Sequence, residues 1–120
     1  ACVPISRLAE AVEETRADIA ASGIPSPILG HVGDGNFHAI LLVDPSKPDE
    51  AATAKALAKR MAERSLRLGG TITGEHGVGF GKLGLMAAEH GEGWQVMGAV
   101  KAALDPLNLM NPGKLVPGQP

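Results

Sequence analysis

The chain has 120 residues, one domain of ordinary size, with 44% apolar and 20% charged residues and a formal net charge of -2. That balance excludes a disordered tail and the basic surface of a nucleic-acid binder. The single Cys2 cannot form an internal disulfide, so the chain is not a cystine-stapled scaffold. The apolar run over 37–43 is far short of the ~20 residues that cross a bilayer, so neither a transmembrane nor a signal segment is expected.

In chain order, Ser6 reads as the cap of a helix whose apolar residues Leu8, Ala11, Val12 and Ile19 share a stripe, ending near Ser22 and Gly23. Strand-like segments follow at 28–31 and 37–43. Ser46-Lys47-Pro48-Asp49 reads as a capping box opening a second helix, with Leu57, Met61 and Leu68 on one stripe and Gly69-Gly70 as its stop. A third short extended run is expected at 71–73. Helical segments are expected at 82–90 and 94–104, the second closed by Asp105-Pro106, and an irregular, proline-rich tail over 108–120. This order predicts an α+β fold: an antiparallel sheet with the two long helices packed on one face, then a C-terminal helical segment.

Two segments carry chemistry. In His31-Val32-Gly33-Asp34-Gly35-Asn36-Phe37-His38, Asp34-Gly35 is a favoured hairpin centre. A two-residue turn there pairs Val32 with Phe37 and His31 with His38. Opposed residues have Cβ atoms ~5 Å apart on one face, close enough for two imidazoles to share a metal ion. Val32 and Phe37 would then point into the core. Two histidines bonded only to backbone remain the plain alternative.

In Gly74-Glu75-His76-Gly77, an extended reading sends the two polar side chains to opposite sides. Glu75 could then join the histidines in a two-histidine, one-carboxylate site for zinc, manganese or iron, leaving His76 as a base. A solvated turn carboxylate is the alternative for Glu75. Gly79-Phe80-Gly81-Lys82-Leu83-Gly84 fits a dinucleotide fingerprint by letter only, because the preceding strand is too short and no ribose-binding acid follows. His90 reads as a helix-terminal residue.

These segments and Asp105-Pro106-Leu107-Asn108-Leu109-Met110-Asn111-Pro112-Gly113-Lys114 resemble, in order, the C-terminal domain of the FAD-linked oxidases of the vanillyl-alcohol oxidase type. The similarity is to the branch holding cytochrome-linked D-lactate dehydrogenases and the flavin subunit of glycolate oxidase. The resemblance implies that residues 1–120 are the cap of a longer flavoenzyme whose separate domain holds FAD, so that this piece alone should not turn over. It assigns His31, His38 and Glu75 to a divalent metal, zinc first, and His76 to the base. Asn111 and Lys114 would lie near the flavin.

The implied reaction oxidises a small D-2-hydroxy acid to the 2-oxo acid. Ile40 stands where relatives acting on D-2-hydroxyglutarate tend to carry Asn, which favours D-lactate or glycolate. Implied partners are this substrate, the FAD-binding domain and an electron acceptor, without nucleic acid. The implied location is cytoplasmic, or peripheral to the membrane, in a bacterium and mitochondrial in a eukaryote. A non-catalytic metal-binding or interaction module, and a metal-free structural domain, stand as alternatives.

Overall fold

The computed structural model describes residues 1–116, which form two compact units, one of residues 1–74 and one beginning at Glu75. Among the described residues there are four α-helices and one two-stranded antiparallel sheet, the α+β class expected. No helix among them is long and apolar enough to cross a membrane.

In the first unit, α1 (Leu8–Ser22) packs against α2 (Pro48–Arg67). Their apolar faces meet the sheet: Val3, Ala11, Phe37 and Leu68 form the buried core, with Leu8, Val12, Ile28 and Met61 against it. Charge holds the outer seam of the helix pair. Arg64, only 12% exposed, bonds Glu14, Thr15 and Asp18, while Arg60 donates to the Asp18 carboxylate through both Nε and Nη2, one edge of its guanidinium. Arg60, with Arg64, holds the Asp18 carboxyl below its ordinary range, and Arg67, with Arg64, does the same for Glu14.

Both helices start differently from the sequence expectation. A one-turn 3-10 helix over Ile5–Arg7 leads directly into α1, so Ser6 lies inside the turn and caps nothing. At α2, Ser46 bonds the Asp44 carboxylate, and Glu50 reaches back to the Asp44 amide and the Lys47 ammonium. The entry is thus organised around Asp44, with Pro48 in the first turn, and no side chain caps the helix. The stops follow expectation: Gly23 and Gly69 both adopt positive φ.

The sheet is shorter and differently registered than expected. Strand β1 (Ile28–Leu29) pairs with β2 (His38–Ala39), Ile28 opposite Ala39 and Leu29 opposite His38. His38 therefore faces Leu29, two residues away from the partner that a two-residue turn would impose. The physical reason is competition from the N-terminus. The Phe37 amide bonds the Ala1 carbonyl, the Val3 amide bonds the Gly35 carbonyl, and Cys2 bridges both Asn36 and Thr71.

With its backbone claimed by residues 1–3, Phe37 cannot pair with Val32. Residues Val32–Asp34 instead coil into a 3-10 turn, Val32 is exposed, and Phe37 alone enters the core. The same segment accounts for residues 71–73, where Thr71 makes only an isolated bridge to Cys2. Gly35 combines a φ of 70° with close approach to the Val3 carbonyl, and a Cβ there would lie 2.0 Å from that oxygen.

The second unit holds a 3-10 turn at Leu83–Leu85 running into α3 (Met86–His90), then α4 (Gly93–Leu104). Residues 108–116 are irregular, as expected, and residues 117–120 of the expected tail lie outside the described ones.

Candidate functional site

The hairpin loop brings the two histidines together by a different route from direct strand pairing. The carbonyl of His31 accepts from the amides of Asp34 and Asn36, which curls the loop and turns His31 back toward β2. The rings of His31 and His38 meet edge to face, with centroids 6.3 Å apart and planes at 86°. Each ring presents a nitrogen within 4.8 Å of the other's. A zinc ion held by two imidazoles stands about 2.0–2.1 Å from each nitrogen, so these rings would have to draw together to share one. His31 is exposed and His38 half-buried, so the pair opens to solvent.

Asn36 is buried in this loop. Gly74 packs against its side chain so closely that a Cβ would lie 2.6 Å from Asn36 Oδ1. A side chain at position 74 would therefore have to displace the buried Asn36 amide. Just before it, the Thr73 hydroxyl donates to the Gly74 carbonyl at 2.8 Å.

Within the second unit, Glu75 and His76 form a turn, with Gly77 at a φ of 74°. The extended alternation expected for them does not occur. His76 Nε2 stands 3.5 Å from Glu75 Oε1, and the histidine side chain is 72% exposed. The flanking glycines allow the chain to curl, and a curled backbone does not send adjacent side chains to opposite sides.

Asn111 and Lys114 both line a cavity of about 790 Å³, together with Gly77, Val78 and Gly79 of the turn and one face of α4. The Lys114 ammonium lies 5.1 Å from the Phe80 ring centroid, a cation–π contact. His90 stands at the end of α3 beside Glu89, at 3.8 Å, in keeping with a helix-terminal role. Burial pulls the Lys82 ammonium below the usual lysine range, with Glu89 acting in the opposite sense.

Asp105 organises the segment that carries Asn111. Its carboxylate is paired with the Lys101 ammonium and accepts from the amides of Leu109 at 3.0 Å and Met110 at 2.8 Å. Lys101 also donates to the Met110 carbonyl. The sequence signal was Asp-Pro closing a helix, which reads as a stop and conceals the later amides that the carboxylate gathers.

These donors, Lys101 first, hold the Asp105 carboxyl at about 2, below the unconstrained value of 3.8. A depressed folded value stabilises the turn above the unfolded value, and that contribution disappears as pH falls from near 4 through 2. The Leu109 and Met110 amide resonances should titrate with a midpoint near 2 and lose this titration in Asp105→Asn. A midpoint near the ordinary aspartate value would remove the carboxylate from the turn.

Comparison with known proteins agrees with this arrangement of segments. Residues 1–115 match the family described as "FAD linked oxidases, C-terminal domain". The chain is 50% identical over 116 residues to "Probable D-lactate dehydrogenase, mitochondrial" of Danio rerio, covering 96% of this chain and 23% of that protein. It is 43% identical to "D-lactate dehydrogenase [cytochrome], mitochondrial" of Arabidopsis thaliana, over 97% of this chain and 21% of the relative. It is 40% identical to "Glycolate oxidase subunit GlcD" of Bacillus subtilis, over 96% and 25%. The chain thus spans a quarter or less of the length of these relatives. With a match that runs through the histidine loop, the Gly-Glu-His-Gly turn and the Asn-Pro-Gly-Lys segment, the chain belongs to the FAD-linked oxidase C-terminal domain family.

Proposed function

We propose that this domain is the metal- and substrate-binding cap of a flavin-dependent dehydrogenase that oxidises a small D-2-hydroxy acid, D-lactate or glycolate, to the 2-oxo acid. The observation that carries the reading is the convergence of the His31 and His38 nitrogens in a loop against which Gly74, the residue before Glu75, is packed. Relatives named as D-lactate dehydrogenases and a glycolate oxidase subunit support the choice of substrate class.

In this reading His31, His38 and Glu75 hold a divalent ion. Two neutral imidazoles and one carboxylate suit zinc, manganese or iron, with positions left open for substrate oxygens. Such an ion would lower the pKa of a bound hydroxyl, and FAD held by the rest of the protein would accept the hydride. His76 takes the hydroxyl proton. Its side chain is 72% exposed, which leaves it within reach of a ligand. Asn111 and Lys114 supply an amide and a cation on the cofactor side.

Metal titration of the full-length protein tests the ligand set. His38→Ala and Glu75→Gln should each lose metal affinity by at least tenfold. Binding should also weaken as pH falls through the histidine range, because protonated imidazoles cannot ligate. Parental affinity and stoichiometry in either variant would strike that residue from the set.

A further inference from the structure

Helix α4 is the most exposed apolar element of the second unit. Val96, Val100 and Leu104 fall at i, i+4 and i+8, on one face, and are 62%, 54% and 79% exposed. In the turn that follows, Leu107 is also exposed, at 76%. None of the residues of α4 is buried. Its one charged residue, Lys101, is occupied by Asp105 and the Met110 carbonyl, so no charge interrupts the surface. A contiguous apolar face of this kind in a folded chain marks a surface that another body covers.

We infer that the Val96, Val100 and Leu104 face is where the flavin-holding remainder of the longer protein docks. Three observations point to that occupant. The relatives matched over nearly all of this chain are four to five times its share in length, so most of the protein is available to cover it. Val96, Val100 and Leu104 also line the cavity that Asn111 and Lys114 border, so a body bringing flavin to those two residues meets this face at the same cavity. An uncharged, ridged apolar helix suits a protein surface and offers nothing to nucleic acid or an anionic membrane. The inference rests on the reading above that the domain belongs to a longer flavoprotein, and it adds which surface makes the junction.

Hydrogen exchange tests it without any substitution. In the full-length, FAD-loaded protein the amides of residues 96–104 should exchange at least tenfold more slowly than in the 120-residue chain, because docking suppresses local opening of α4. A Val100→Lys, Leu104→Lys double variant of the full-length protein should lose that added protection, while exchange within α1 and α2 stays parental. Equal exchange of α4 in the full-length protein and the 120-residue chain would overturn the proposal. So would protection that grows with concentration of the 120-residue chain alone, which would put a second copy on the face. Protection of α4 in a protein whose flavin is not bleached by D-lactate or glycolate would support the docking surface and refute the substrate reading.

Discussion

Replacing His76 by alanine in the full-length protein should leave metal and flavin at parental content and slow flavin reduction by D-lactate about 10²–10⁴-fold, the usual loss when a general base is removed. The side chain is exposed and stands in a turn made by glycines, so truncating it removes little packing. Its effect should therefore fall on proton transfer. Glu75→Gln should behave differently, losing metal and activity together. Single-turnover bleaching of the flavin, read beside metal analysis, separates the two. Reduction at the parental rate in metal-replete His76→Ala would place the base elsewhere and favour a non-catalytic role for the turn.

The second large effect is structural. Phe37 is 1% exposed and joins the core formed with Val3, Ala11 and Leu68. Phe37→Ala should cost about 3–5 kcal/mol, through lost burial and the cavity left behind. Its backbone also pairs with Ala1 and its neighbour His38 belongs to β2, so the histidine loop should loosen along with the core. Phe80→Ala is the contrasting case. That ring is exposed and chiefly meets Lys114, so its loss should cost less than about 1 kcal/mol. Urea unfolding of the 120-residue chain measures both, and a similar small loss for the two would show that Phe37 is not a core anchor.

The pattern of local signals was legible in the sequence because each rests on near neighbours. Apolar stripes and terminal glycines marked α1 and α2, and the Asp105-Pro106 stop marked the end of α4. The residue types at the candidate site, two histidines flanking Asp34-Gly35 and a Glu-His pair between glycines, were equally plain. Composition and order were enough to state the α+β class.

Tertiary structure decided everything that depended on a distant partner. The Asp34-Gly35 turn has a strong local preference, yet residues 1–3 claim the backbone of Asn36 and Phe37, and their hydrogen bonds outweigh the two-residue hairpin. The two histidines still meet, through a curled loop in place of a cross-strand register. Glu75 and His76 curl toward each other because Gly77 takes a left-handed conformation that adjacent-residue alternation ignores. Asp105, read locally as a helix stop, gathers amides four and five residues further on. A backbone group far along the chain, a glycine free to turn, or amides one turn past a helix end supplied interactions that nearest-neighbour patterns could not contain.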